Sequence, residues 1–267
     1  MEMNNKETRR VVIGITAHVD AGKTTLAEAM LYRTGQLRKL GRVDHGSAAM
    51  DSHLLERERG ITIFLSQAEL PLGDMEVTLL DTPGHVDFSA EMERTLSVLD
   101  YAILVISGVD GVQAHTRTLW RLLELYRVPT FLFVTKMDFG RRDRDGLMES
   151  LRHELGEGCV DFTPAARDRR MEQLATCRED ALEAYLDTGM VPEELVRQLV
   201  RQRLVFPCWF GSGLKLEGID EFLEGLARYV EPPAYPAAFS ARVFKINHDA
   251  QGKRLTHLKV TGGTLRA

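Results

Sequence analysis

The chain has 267 residues, 44% of them hydrophobic, which suffices for one large core or one core plus a fragment of a second. Its formal net charge of −5, with acids and bases interspersed, excludes a domain that clamps nucleic acid by bulk positive charge, although a local RNA contact stays open. No apolar run reaches about 18 residues, so no membrane span is expected. Cys159, Cys177 and Cys208 are scattered with no CxxC pair, and read as reduced core thiols rather than metal ligands. The polar start "MEMNNKETRR" lacks the apolar stretch of a secretion signal. A cytoplasmic location is the expectation.

In chain order, "RRVVIGITA" is a β-branched run bounded by turn residues and predicts a buried strand. "TTLAEAMLYRTG" predicts a helix that stops at Gly35. "EVTLLD" and "YAILVIS" predict two more strands. Leu119, Leu122, Leu123 and Tyr126 then recur at helical spacing. "TFLFVT" and "LVFPCWF" predict further strands, and "GIDEFLEGLARYV" an amphipathic helix. Alternation of helices with fully apolar strands implies an α/β fold, a mostly parallel sheet covered on both faces.

Three regions break this rhythm. Residues 36 to 60 form a long polar stretch without periodicity, read as a functional loop. Residues 156 to 204 hold charged helices, one starting at Pro192, and read as a helical insertion before the last core strand. "EPPAYP" reads as a stiff linker, followed by "FSARVFKI" and "RLTHLKVTGG" joined by "NHDAQGK", a hairpin. Two strands are too few for a stable domain. The expected organisation is therefore a domain over 1–231, with 156–204 inserted, then a linker and the truncated start of a β-barrel over 232–267.

"AHVDAGKTT" (17–25) lies between the first strand and the first helix. It fits the phosphate-loop pattern, with Ala17 in the first glycine position and Gly22, Lys23 and Thr24 matching. A bare backbone lets several N–H groups point into one cavity, and the helix start beneath favours negative charge. Asp20, Ala21, Gly22, Lys23, Thr24 and Thr25 are thus candidate nucleotide contacts. Lys23 is expected to reach the β- and γ-phosphates, and the Thr24 hydroxyl to ligate Mg²⁺. A plain glycine turn capped at Thr24 is the competing reading. "TLLDTPGH" ends a strand with Asp81, expected to hold Mg²⁺ through water, and offers Gly84 as a backbone donor that senses the γ-phosphate. In "RGITI", Thr62 is a candidate second Mg²⁺ ligand. Each of these two motifs alone also fits an ordinary turn or strand start. Three such features at successive strand ends match the ligand edge of an open α/β sheet.

The base site is read from "TKMD", residues Thr135 to Asp138. A buried Asp138 carboxylate can accept from guanine N1–H and N2–H₂, a donor pair that adenine lacks. The Lys136 stem can lie over the base plane. Position 135 usually carries Asn in such a loop. Thr135 keeps one hydrogen bond without the reach of an amide, so guanine choice is expected to survive with lower affinity. "GSGLK" follows the last core strand. The backbone N–H groups of Ser212 and Gly213 are candidate donors to guanine O6, with Leu214 beside them, although "GSG" is also an ordinary loop.

"AHVDAGKTT", "RGITI", "DTPGHVDF", "TKMD" and "GSG" resemble, in order, the nucleotide-binding motifs of the translational GTPase superfamily, in which the elongation factor G group often carries "AH" at the first position. "LLERERGITI" and "LSVLDYAILVISGVDGVQAHTR" resemble the tetracycline-resistance ribosomal protection proteins more than elongation factor G. The resemblance is strong over about residues 10 to 140, weak in the insertion and moderate over 205 to 265; Thr135 departs from it. It implies a P-loop GTPase domain within a longer, multidomain protein. It also implies that His85 positions the attacking water once a ribosomal RNA phosphate orients it, that Val19 and Ile61 gate that histidine, and that Asp20 helps hold a monovalent cation. The expected activity is hydrolysis of GTP to GDP and phosphate with Mg²⁺, on the ribosome. His85, Lys23 and Gly84 form the catalytic set, and residues 36–62 and 82–92 the switches. Arg57 and Arg59 are candidate arginine fingers that equally suit a solvated charged run. The isolated chain is expected to be monomeric. Competing readings are a housekeeping factor of the elongation or peptide-release type, and a nucleotide-dependent switch that no longer turns over.

Overall fold

Runs such as "YAILVIS" and "TFLFVT" have no polar face, so they are stable in water only with helices on both sides. The computed structural model, which describes residues 9–38, 66–82, 89–140, 143–248 and 251–266, has that arrangement. The first strand, β1 (Arg9–Ala17), leads into helix α1 (Lys23–Arg33). Strands β2 (Ser66–Leu72) and β3 (Met75–Asp81) form a hairpin, followed by α2 (Ser89–Leu96). Then come β4 (Tyr101–Ser107), α3 (Ala114–Leu125), β5 (Thr130–Thr135) and α4 (Arg144–Leu155). The next stretch holds β6 (Cys159–Asp161), α5 (Arg167–Ala175), α6 (Glu179–Thr188) and α7 (Glu193–Arg201). Strand β7 (Phe206–Phe210) and helix α8 (Ile219–Tyr229) complete the layer structure.

The sheet runs β2-β3-β1-β4-β5-β7-β6 and is parallel except for β2, which pairs antiparallel with β3 at one edge. Side-chain alternation with a period of two divides each central strand between two cores. Tyr101, Ile103 and Val105 of β4 and Phe131 and Phe133 of β5 pack with Leu26 and Met30 of α1 and Phe222 and Leu226 of α8. The intervening Leu104, Ile106, Leu132 and Val134 pack with Leu96, Leu119, Leu123 and Leu151 on the other face. Gly225 breaks good helical composition for a packing reason: a Cβ there would clash with the Trp209 ring, so α8 gives up about 1 kcal/mol of helix propensity to lie on that indole.

Two features were not visible as periodicity. β6 lies inside the stretch read as charged helices; with three residues it is too short to show alternation. The helices of that stretch also share the first core: Leu174, Ala181, Val196 and Leu199 are buried in the cluster that holds β1 and α1.

After the sheet domain, β8 (Ser240–His248) and β9 (Arg254–Gly262) form an antiparallel hairpin. Val243, Ile246 and Leu255 on it are exposed. The hairpin grips the turn after α2. Lys259 Nζ donates to the Val98 carbonyl at 2.8 Å and pairs with Asp100 Oδ1 at 2.5 Å, and Arg242 donates to the Ser97 carbonyl at 2.5 Å. Asp100 Oδ1 also accepts from the Tyr235 hydroxyl at 3.1 Å, and its Oδ2 from the Val12 amide at 2.8 Å. Among the described residues, no helix is long and apolar enough to cross a membrane.

Candidate nucleotide site

Because β1, β3, β4, β5 and β7 are parallel, their carboxyl ends lie along one edge of the sheet. The loops after Ala17, Asp81, Ser107, Thr135 and Phe210 all leave from that edge, the usual ligand side of an open α/β sheet.

The phosphate loop turns through two left-handed residues, Asp20 (φ 61°) and Gly22 (φ 92°). Asparagine and aspartate tolerate this region better than other side chains, and Gly22 adopts it without penalty. The turn is closed by the Ala21 amide donating to the His18 carbonyl at 3.1 Å. Helix α1 begins immediately at Lys23. No side chain caps it and no acidic residue lies in its first turn, so its amino end is left for an anion. Thr24 and Thr25 occupy that first turn, half-buried. Lys23 is buried, and its ammonium pairs with the fully buried Asp81 at the end of β3. Thr82 fixes this strand end by donating its hydroxyl to the Ile15 carbonyl at 2.9 Å.

The base loop is tied directly to the phosphate loop. Thr135 is 3% exposed, and its hydroxyl donates to the Ala21 carbonyl at 2.5 Å. The shorter side chain thus makes the link between loops that an amide usually makes. It can do so because the turn at Gly22 passes close by; a Cβ on Gly22 would sit 3.5 Å from Thr135 Oγ1. Lys136 follows in left-handed conformation (φ 59°) and starts a short 3₁₀ turn, Met137–Phe139. The Met137 amide donates to the Gly211 carbonyl at 3.1 Å, which joins this turn to the next loop. Asp138 is 9% exposed in its side chain, and Lys215 Nζ stands 3.8 Å from its Oδ2.

One donor expected from the sequence has a partner within the protein. The Ser212 amide donates to the Glu217 carbonyl at 3.0 Å, because residues 212 and 217 form a two-way bridge that closes the loop. It is therefore committed within the protein. Among the described residues, the Gly213 and Leu214 amides have no such acceptor. Gly213 packs on the first turn of α1, where a Cβ would come within 3.1 Å of the Thr25 carbonyl oxygen, and Leu214 stands exposed beside it.

The structure thus brings together Asp20, Ala21, Gly22, Lys23, Thr24, Asp81, Thr135, Lys136, Asp138, Gly213 and Leu214 along one edge. Thr62, Gly84 and His85 lie outside the described residues, as do Ile61, Arg57 and Arg59. Two neighbours went unassigned in the sequence. Lys215 stands in the quoted "GSGLK" and faces Asp138. His115, at the start of α3, brings its ring centroid within 6.1 Å of that of His18 in the phosphate loop.

The family model described as elongation factor Tu GTP binding domain matches residues 8–232. The chain is 42% identical to an oxytetracycline resistance protein of Streptomyces rimosus, over 95% of this chain and 42% of that protein. It is 38% identical to the tetracycline resistance protein TetM of Streptomyces lividans, over 96% of this chain and 44% of that one. A crystal structure of a Thermus thermophilus protein superposes with a TM-score of 0.84 at 28% identity, covering 95% of this chain and 45% of that one. The chain thus spans about two fifths of the length of the curated relatives it matches.

Proposed function

Since the chain belongs to the elongation factor Tu GTP binding domain family, we propose that it binds and hydrolyses GTP as the nucleotide-binding part of a ribosomal protection protein that counters tetracycline. The observation that carries the nucleotide reading is the Thr135–Ala21 hydrogen bond, which links a base-reading carboxylate loop to a phosphate loop at one sheet edge. The protective role is supported by relatives named for oxytetracycline and tetracycline resistance at 42%, 38% and 35% identity. The protein would act in the cytoplasm, on the ribosome, with this chain alone monomeric.

Phosphate oxygens replace the Asp81 carboxylate as partners of Lys23 when the nucleotide enters. The ammonium then neutralises charge that develops on the transferring phosphoryl group. Asp81 and the Thr24 hydroxyl are hard oxygen donors, too few to cage an ion alone, and so fit Mg²⁺, which keeps waters and takes the rest of its shell from phosphates. Bound there, Mg²⁺ supplies charge neutralisation. Thr62 would add a further oxygen, Gly84 would sense the γ-phosphate, and His85 would position the water for in-line attack. Unstimulated turnover is slow in this scheme; a ribosomal partner giving about 10⁵-fold lowers the barrier by roughly 7 kcal/mol. The 232–267 segment is proposed as a linker and the start of a β-barrel.

Titration with GTP, GDP and ATP, with and without Mg²⁺, tests the site. Guanine nucleotides should bind and ATP should not. Asp138→Asn should lose guanine affinity by about 10³-fold or more and gain xanthine nucleotides. Unchanged GDP binding by that variant would remove the base-site assignment. Protection is tested by expressing the gene in a tetracycline-sensitive bacterium; an unaltered drug response would remove the resistance role.

A further inference from the structure

Asp138 presents a nearly buried carboxylate with a small open side, since only 9% of its side chain is exposed. Among the described residues, Lys215 is the cation paired with it, 3.8 Å from Oδ2. The Lys215 side chain is itself 52% exposed, so the counter-ion of this nearly buried carboxylate comes from a largely solvated side chain. Its backbone is held in that position. The bridge between Ser212 and Glu217 closes the loop at both ends, Leu216 takes a left-handed conformation (φ 59°), and the Lys215 amide donates to Ser212 Oγ at 3.3 Å. The loop backbone thus sets where the Lys215 stem starts.

A guanine needs both carboxylate oxygens, one for N1–H and one for N2–H₂. Oδ2 is the oxygen that faces Lys215. We propose that Lys215 is a gate on the base site: its ammonium neutralises Asp138 while no purine is bound, and leaves Oδ2 when guanine docks. The inference rests on the nucleotide reading above. Its consequence is that Lys215 lowers guanine-nucleotide affinity instead of contributing to it. An empty pocket with an unneutralised, nearly buried carboxylate is less stable than one with a counter-ion, so removing the counter-ion favours the bound state. The pair is half in water, which limits the effect to the range of exposed ion pairs. It also makes the effect sensitive to salt, which screens the gate in the empty protein.

The experiment measures GDP affinity of the wild-type chain and of Lys215→Met and Lys215→Arg by calorimetry. Lys215→Met should bind GDP about two- to fivefold more tightly, and Lys215→Arg close to wild type. The gap between Met variant and wild type should narrow as salt rises. In an Asp138→Asn background, probed with xanthosine diphosphate, Lys215→Met should change nothing, because the gate has lost its partner. Weaker or equal GDP binding by Lys215→Met would overturn the gate and assign Lys215 a supporting or neutral role. Failure of the wild-type chain to bind GDP at all would instead remove the nucleotide reading itself.

Discussion

Lys23–Asp81 and Lys259–Asp100 are both largely buried lysine–aspartate pairs, the first within the sheet domain and the second between that domain and the hairpin, and their surroundings differ. Asp100 is held on every side: Lys259 and Tyr235 bond Oδ1, the Val12 amide bonds Oδ2, and Lys259 also reaches the Val98 carbonyl. These partners come from the strand β1, the linker, the hairpin and the turn after α2, so the pair locks separate segments together. Burial lowers the Lys259 pKa, Asp100 raises it, and the net shift is downward, as expected of an ammonium taken out of water into a joint between segments. Lys23–Asp81 instead lies at the carboxyl edge, between a left-handed loop and an uncapped helix start. In the proposed function, a triphosphate with its cation takes over both partners there. A charge pair saturated from several elements acts as a joint; one at a loop-built edge can be exchanged.

Three changes probe that contrast. The largest effect is expected from Lys23→Met. It removes the ammonium that pairs with Asp81 and should cost about 3 kcal/mol in urea unfolding. The stabilisation that excess GTP gives the wild type should vanish with it. If GTP still protected this variant fully, the exchange of partners would be refuted. Lys259→Met should cost less, about 2 kcal/mol, since Asp100 keeps the Val12 and Tyr235 donors. Hydrogen exchange should rise across residues 240–262 while GDP affinity stays the same; unchanged exchange would mean that the hairpin is held elsewhere. The smallest effect belongs to Tyr235→Phe, about 1 kcal/mol at neutral pH. Burial, then the charge of Asp100, raises the Tyr235 pKa above its ordinary 10.0. A raised folded-state value contributes stability that is present below pH 10 and is lost as pH climbs above it. Tyr235→Phe should therefore flatten the alkaline limb of the stability curve. A limb as steep as wild type would show that the phenol carries no such linkage.

The strands were legible wherever a run was long and continuous: "RRVVIGITA", "TFLFVT" and "YAILVIS" coincide with β1, β5 and β4 residue for residue. Helix α1 ends at Arg33, two residues before the glycine taken as its stop, because Thr34 already caps it by donating its hydroxyl to the Met30 carbonyl at 2.9 Å. β6 escaped because three residues carry no period. In the candidate site, the placement of Gly22, Lys23, Asp81 and Asp138 just after or at strand ends was legible, since phosphate and guanine chemistry would demand those residue types there. The Asp100 joint was not. An aspartate before a strand has no local signature, and its partners lie 88 to 159 residues away in sequence.

Sequence by itself determined the layered sheet and the residue types that can grip phosphate and test a purine, because apolar periodicity and donor chemistry are properties of short segments. Only the tertiary structure decided that the Thr135 hydroxyl reaches Ala21, that Ser212 spends its amide on Glu217, and that Lys215 comes within 3.8 Å of Asp138. Each of these depends on where two separate loops approach one another, and that distance is set by the packing of the whole sheet edge.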